Sequence, residues 1–222
     1  MKLPAFEAFI FDMDGVLIDS ENFYTRVEQE NFRQLGLHIS HEEHVTYQGT
    51  ATDLMWAAIR ERHGLQQPVE ELVEMTNALV VPYFQSLDEI PAMPGIAELL
   101  ERLHSRRVPL ALASSSYPEI IELVLDKTGL RKYFQVVVNS RLAKSSKPHP
   151  AIFLLAAEKL GILPEKCVVV EDSTNGIRAA RAAGMFCIAY NGPGAEHQDQ
   201  SAADWQIVSY NELVAALDGK AG

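Results

Sequence analysis

A chain of 222 residues with 47% apolar and 22% charged residues has the composition of a globular protein that can bury a substantial core without a disulfide or metal staple, as one domain with a large insertion or as two small domains. The formal net charge is -11, and Arg106-Arg107 is only a short basic pair, so no cationic stripe exists to displace counterions from nucleic acid or to hold an anionic membrane. A small phosphorylated molecule stays open as a partner, because one lysine and a bound cation can make a local positive pocket inside an acidic protein.

Cys167 and Cys187 lie in apolar, strand-like runs and read as two buried reduced thiols rather than a disulfide framework or a zinc site. Residues 1–11 hold no signal-like apolar core, and no stretch reaches membrane-spanning length, so the expected location is cytoplasmic. Nothing in the sequence demands more than a monomer.

Residues 6–11 form a short apolar run broken only by Glu7 and ended by Asp12-Met13-Asp14-Gly15. Such a run predicts a buried strand entering a turn. Residues 17–88 have a different texture, charged and helical. Phe23, Val27, Phe32 and Leu35 make one apolar stripe, Leu54, Met55, Ala58 and Ile59 a second, and Leu72, Met75, Leu79 and Tyr83 a third. This block is expected to be a helical domain of its own.

Strands and helices then alternate. Helices are predicted from Pro94-Gly95 to about His104, from Pro118 to near Gly129, over 150–160, over 174–183 and over 211–217. Strands are predicted over 109–113, 134–138, 167–170 and 185–190, with Ile207-Val208 as a short final one. Residues 218–222 are expected to fray. Alternation of this kind implies a mostly parallel sheet covered on both faces. The expected organisation is therefore an α/β, Rossmann-like core (1–16 and 89–222) with an inserted α-helical cap (17–88). Ligands of such sheets bind beyond the carboxyl ends of the strands, so the polar residues after each strand are the ones to weigh.

The first strand ends in Asp12 and Asp14, and a carboxylate oxygen can attack phosphorus. The second ends in Ser114-Ser115-Ser116, hydroxyls among loop amides. Lys147 stands in a Lys147-Pro148 step, and the 167–170 strand runs into Glu171-Asp172. Two acidic turns at one sheet edge make a hard, oxygen-rich site of the kind that suits magnesium and a phosphate. Singly, each has a plainer reading: a turn, a loop, a surface lysine, a helix N-cap pair. A calcium loop fits poorly, because Val16-Leu17-Ile18 follows where more oxygen ligands would be needed.

Taken together, Phe11-Asp12-Met13-Asp14-Gly15-Val16-Leu17-Ile18-Asp19-Ser20, Ala113-Ser114, Lys147-Pro148-His149-Pro150 and Val170-Glu171-Asp172-Ser173-Thr174-Asn175-Gly176 make the chain resemble a haloacid-dehalogenase-type phosphohydrolase with a helical cap, in the branch that contains β-phosphoglucomutase and small sugar-phosphate phosphatases. The resemblance runs over essentially the whole chain. It implies Asp12 as nucleophile, Asp14 as general acid–base, and Mg²⁺ held by Asp12, the Asp14 backbone carbonyl and Asp172, with Glu171 helping directly or through water. It also implies Ser114 and Ser115 in the phosphate-binding loop, Lys147 neutralising the phosphate and Asp12, and Gln48-Gly49-Thr50 as a cap loop that is either a specificity loop or a simple interhelical turn.

The chain departs from the phosphoglucomutases it resembles. Tyr24 stands where they carry a cap histidine, Gln48 where they carry a lysine, Thr52 near their arginine, and Tyr117 in place of a polar or basic residue. A mutase must hold a second phosphate with such cations, so their absence favours hydrolysis of a small phosphomonoester. A β-phosphoglucomutase-like phosphotransferase is the alternative. A phospho-accepting signalling domain fits less well, because it needs neither Asp14 nor a large helical insertion. A catalytically silent protein should have lost one of the motif residues. His38, His41 and His44 are read as solvated, since Ser40-His41-Glu42-Glu43 looks like a helix start.

Overall fold

The structure, a computed structural model, describes residues 3–219. β1 (Ala8–Phe11) is fully buried along its length. The chain then passes through α1 (Glu21–Gln34), α2 (His41–Val45), α3 (Thr52–His63) and α4 (Val69–Ser86) before α5 (Ile96–Ser105). From there β2 (Leu110–Ser114), α6 (Pro118–Thr128), β3 (Val136–Asn139), α7 (Ser140–Ala143), α8 (Ala151–Leu160), β4 (Cys167–Glu171), α9 (Thr174–Ala182), β5 (Phe186–Tyr190), β6 (Trp205–Ile207) and α10 (Tyr210–Leu217) follow.

The strands form one parallel sheet in the order β3-β2-β1-β4-β5-β6. β1 leads to β2 on one side, and the chain returns to its other side as β4, so the order reverses between β1 and β4. In open parallel sheets that reversal leaves a crevice at the carboxyl ends. The pairing Phe11↔Val170 brings Asp12 and Glu171 to it side by side.

Alternation along the strands divides the core. Phe9, Phe11, Leu110, Leu112, Val168 and Val170 face a layer containing α5 and α6 residues, with Tyr210 and Leu213 of α10. Ala8, Ile10, Ala111, Ala113, Val169 and Cys187 face α8 and α9, which contribute Ala156, Ala157, Ala179 and Ala180. The second face is rich in alanine, with Phe153, Ile152 and Ile177 filling the space between. Cys167 and Cys187 are both free and buried, as expected of two thiols in strand interiors.

The helical segment has its own small core of Phe32, Met55, Trp56, Ile59 and Leu72. Thr76 accepts from the Asn31 amide at 3.0 Å and from the Trp56 indole at 2.8 Å, and donates to the Leu72 carbonyl at 3.1 Å. One hydroxyl therefore satisfies two buried donors. The buried faces differ from the expected stripes. On α3 they are Met55, Trp56 and Ile59, while Leu54 and Ala58 are exposed. On α4 they are Leu72, Thr76, Val80 and Phe84, with Met75, Leu79 and Tyr83 only partly covered. The reason is that α4 packs against α1 and α3 on one side and α6 on another, so its apolar surface is broader than the buried stripe.

The two passages of chain between sheet and helices lie together. Ile18 bridges Ala92, and the Met93 amide donates to the Leu17 carbonyl at 2.7 Å. Beyond them, the Lys127 ammonium of α6 donates to the Phe84 carbonyl at 3.2 Å, to Gln85 at 3.0 Å and to Leu87, capping the last turn of α4. No helix among the described residues is long and apolar enough to cross a membrane.

Boundary differences are small. β3 begins at Val136 rather than 134, because residues 131–133 form a tight helical turn. β6 ends at Ile207, and Val208 is exposed. Of the expected frayed end, Asp218 is anchored by Arg102 and Arg106, and residues 220–222 lie outside the described residues.

Phe84 is fully buried, with its ring 5.5 Å from Phe23 and 5.7 Å from Tyr24, and belongs to the same cluster as the sheet. Phe84→Ala is expected to destabilise the protein by about 3–5 kcal/mol, measured by urea denaturation. A loss under about 1 kcal/mol would mean that this ring does not fasten the helices to the sheet.

Candidate active site

Asp12 extends β1 by one ladder bond, its amide donating to the Val170 carbonyl at 3.0 Å. The chain must then turn at once, and Gly15 does so with φ of +75°. A side chain there has no room. A Cβ would lie 2.1 Å from an oxygen of Asp172, so the glycine lets the β4 loop carboxylate press against the β1 loop.

Lys147 is buried between the two strands. Its ammonium donates to Asp12 and, at 2.5 Å, to Glu171, and it sits 5.1 Å from the Phe153 ring centroid. Glu171 is fully buried and fully used. One oxygen takes the lysine, and the other accepts from the Asp172 amide, the Ser173 amide and the Ser173 hydroxyl, at 2.9, 2.9 and 3.0 Å. Ser173 in turn accepts from the Gly176 amide at 3.1 Å, capping α9. At Gly176 a Cβ would lie 1.7 Å from Glu171.

Asp14 is held differently. Ser116 donates to one of its oxygens at 2.6 Å, and Tyr24 of α1 bonds Ser116 at 2.9 Å. The other oxygen of Asp14 is buried with no hydrogen-bond partner. Burial raises the Asp14 pKa above its ordinary value, against the Ser116 bond. Asp12 is also pushed up, to about 8, by burial first, with Lys147 pulling it down and Glu171 and Asp14 pushing it further. Burial and Glu171 drive Asp172 upward as well.

Asp12, Asp14, Glu171 and Asp172 thus share a single lysine. Asp12, Glu171 and Asp172 offer oxygens within 4.8 Å of one another. That donor set fits a hard divalent cation, which would remove the excess negative charge. Because the protein already satisfies both oxygens of Glu171, Asp12 and Asp172 are the ligands with capacity to spare.

A cavity of about 140 Å³ opens over these residues. Asp12, Asp14, Lys147 and Asp172 form its floor, and Gln48, Gly49, Tyr24, Thr52, Ser115 and Tyr117 line it. The 48–50 turn is packed on the core. The Gln198 side chain donates to the Gln48 carbonyl at 3.1 Å, and a Cβ at Gly49 would lie 2.8 Å from that of Ser173. Ser114 is fully buried in the last position of β2, and its hydroxyl accepts from the Ser116 amide at 3.0 Å. Ser115 and Ser116 line the cavity.

Among the histidines, Ser40 does cap a helix start through the Glu43 amide, and His38 and His41 are exposed. His44 corrects the reading of three solvated histidines. It is buried, against Phe32, and its ring bonds Glu28 at 2.6 Å, which raises its pKa.

The residues that sequence reasoning missed are Ser116, Gln198 and the α1 carboxylates Glu21 and Glu28, which line the cavity or brace it. Glu21 and Glu28 were legible as a polar i, i+7 pair beside Tyr24 on one helix face. Ser116 sat within the serine run, and Gln198 had no signal.

The haloacid dehalogenase-like hydrolase signature matches residues 6–184. The chain belongs to that family. It is 34% identical over 213 residues to hexitol phosphatase B of Escherichia coli (strain K12), covering 94% of each chain. It is 34% identical over 184 residues to fructose-1-phosphate phosphatase YqaB of the same organism, covering 82% of this chain and 95% of the relative. A crystal structure of β-phosphoglucomutase from Clostridium difficile superposes with a TM-score of 0.84 at 26% identity, covering 97% of each chain.

Removing one partner of a buried ion pair costs about 3–5 kcal/mol. Glu171→Ala leaves Lys147 with Asp12 alone and removes the acceptor of the Asp172 and Ser173 amides, so a loss of that size is expected in chemical denaturation. A variant as stable as the parent would show that Glu171 does not hold the lysine in place.

Proposed function

We propose that the protein is a Mg²⁺-dependent phosphatase that hydrolyses a small phosphomonoester, a sugar phosphate or a similar metabolite, through an aspartyl phosphate. The observation that carries this reading is the pairing of a lysine-bound carboxylate, Asp12, with a second buried carboxylate, Asp14, one of whose oxygens has no partner. Those are the arrangements that a nucleophile and a proton donor need.

In the first half-reaction an Asp12 oxygen bonds to phosphorus as the bond to the leaving oxygen breaks. Asp14, whose proton is held more tightly because of burial, gives it to that oxygen through its free side. In the second half-reaction Asp14 takes a proton from water, the water oxygen attacks phosphorus, and inorganic phosphate leaves with Asp12 restored. Lys147 balances charge on Asp12 and on the phosphoryl oxygens, and the loop of Ser114, Ser115 and Ser116 supplies hydroxyl and amide donors. Bound by Asp12, Asp172 and the Asp14 backbone carbonyl, with Glu171 behind, Mg²⁺ would neutralise phosphoryl charge.

The same reading divides the chain into a core of 1–16 and 89–222 and a cap of 17–88 that excludes water from the leaving group. The Ile18–Ala92 crossing serves as the hinge, and Gln48-Gly49 as the cap loop over the site. A monomer suffices, since one chain supplies every group named, and a cytoplasmic location agrees with two free buried thiols. A phosphoglucomutase-like transfer fits less well, because Lys147 is the only cation lining the cavity among the described residues.

Asp12→Asn is expected to abolish phosphate release, because no neighbour replaces its bond to phosphorus. Asp14→Asn should retain Mg²⁺ binding by calorimetry while turnover falls about 10²–10⁴-fold. Full activity in the Asp14 variant would remove it from proton transfer. Chelation of Mg²⁺ should stop turnover reversibly.

A further inference from the structure

The wall of the cavity opposite the sheet is acidic and rich in unused acceptors. Glu21 and Glu28 project from α1 at i and i+7, and Gln48 lies beside them. Glu21 Oε1 accepts from the Gln48 amide at 2.5 Å and from Thr25 at 3.2 Å, and no protein donor among the described residues reaches its Oε2. Glu28 Oε2 is bonded to the buried His44 at 2.6 Å, which fixes the carboxylate and leaves Oε1 without a donor. The Gln48 side-chain carbonyl is buried and has no partner. Three oxygens on one wall therefore lack a protein donor; the Gln48 oxygen is fully buried, so leaving it unpaired costs free energy, while the two partly exposed carboxylate oxygens are free to accept from a ligand.

The wall is also enclosed. At Gly194, in the loop after β5, a Cβ would lie 3.4 Å from Glu21, so core and helix meet there. Among the described residues no lysine or arginine lines this side, and His44 faces Glu28 from behind the wall. An anionic group placed against Glu21 and Glu28 meets like charge in a low-dielectric pocket, whereas a hydroxyl meets an acceptor.

We propose that Glu21, Glu28 and Gln48 form a specificity subsite for an uncharged, polyhydroxylated leaving alcohol, and that the two glutamates exclude alcohols carrying a carboxylate or a second phosphate. The proposal rests on the phosphatase reading and narrows its substrate class. Hydroxyls of the alcohol donate to Glu21 Oε2, Glu28 Oε1 and the side-chain Oε1 of Gln48 while its phosphate lies on Lys147. Attraction and rejection come from the same residues, which is how a small site separates substrates of similar size.

The test is phosphate release with Mg²⁺ from a hexitol phosphate, phosphoglycolate and a sugar bisphosphate, beside p-nitrophenyl phosphate as a generic ester. The wild-type protein should show a kcat/KM for the hexitol phosphate on the order of tenfold to a hundredfold above both anionic substrates, the span that one or two charged hydrogen bonds supply. Glu21→Ala and Glu28→Ala should each raise KM for the hexitol phosphate about tenfold or more, with a much smaller effect on phosphoglycolate, so that the selectivity ratio narrows. A parallel loss on every substrate would make the glutamates structural and overturn the proposal. So would a wild-type protein that hydrolyses p-nitrophenyl phosphate and treats the anionic substrates as well as the polyol. No release from any ester, p-nitrophenyl phosphate included, would bring down the phosphatase reading and this subsite with it. The wild-type panel decides the matter even where a variant does not fold.

Discussion

A lysine buried between two carboxylates holds the site together. Lys147 is 5% exposed, and an ammonium taken that far from water is tolerated only when charge and hydrogen bonds surround it. Asp12 and Glu171 provide both. They can do so because β1 and β4 are neighbours in register, with Phe11 opposite Val170, so that the next residue of each strand meets at the sheet edge. Much else is arranged for that contact. Gly176 is small because Glu171 lies against it, Ser173 ties the same carboxylate to the start of α9, and Gly15 gives way to Asp172. Packing of loop on loop and placement of charge are one constraint here.

The lysine does not balance the charge it sits in. Asp14 and Asp172 are buried beside it as well, and both are driven toward neutrality by burial. A cation held by Asp12 and Asp172 would relieve those two carboxylates but not the Asp14 side chain, one of whose oxygens has no protein partner. Burial pushes both Asp12 and Asp14 upward, and what distinguishes them is that Asp12 is bonded to the Lys147 ammonium and Asp14 to the Ser116 hydroxyl. Across the cavity the balance is the reverse of what a second phosphate would need, with carboxylates on the helices and the cation on the floor.

Much of this was legible in the sequence because it lies at strand ends. Short apolar runs ended by Asp-x-Asp-Gly or Glu-Asp-Ser name their own positions, and the Ser173 cap and the Gly129 and Gly161 stops behaved as their local chemistry dictates. Which face a helix buries was less legible. Trp56 and Thr76 are buried while Leu54 is exposed, because α3 and α4 pack on more than one neighbour and a hydroxyl can be buried once two donors share it. His44 was misread for the same reason: its partner Glu28 lies 16 residues earlier, on another helix. Ser114 ends β2 and Ser116 lies two residues on in the loop that follows, and only the backbone path decides which hydroxyl turns toward Asp14.

The contacts between helices and core are unequal at their two ends, and that bears on how the cavity can admit a substrate. Near the linkers they are buried and apolar, with Val80 and Phe84 inside the sheet's own cluster and Lys127 capping α4. At the mouth they are polar: Tyr24 to Ser116, Gln198 to the Gln48 carbonyl, and Ser146 to Asp53 at 3.3 Å. Each such bond contributes about 0.5–1.5 kcal/mol net, since water can replace it, whereas an exposed Phe84 ring would forfeit a full aromatic burial. Separation at the mouth therefore costs much less than separation at the linkers. It would also release Tyr24 from Ser116 while Ser116 keeps its bond to Asp14, leaving the Asp14 carboxyl oriented in both arrangements.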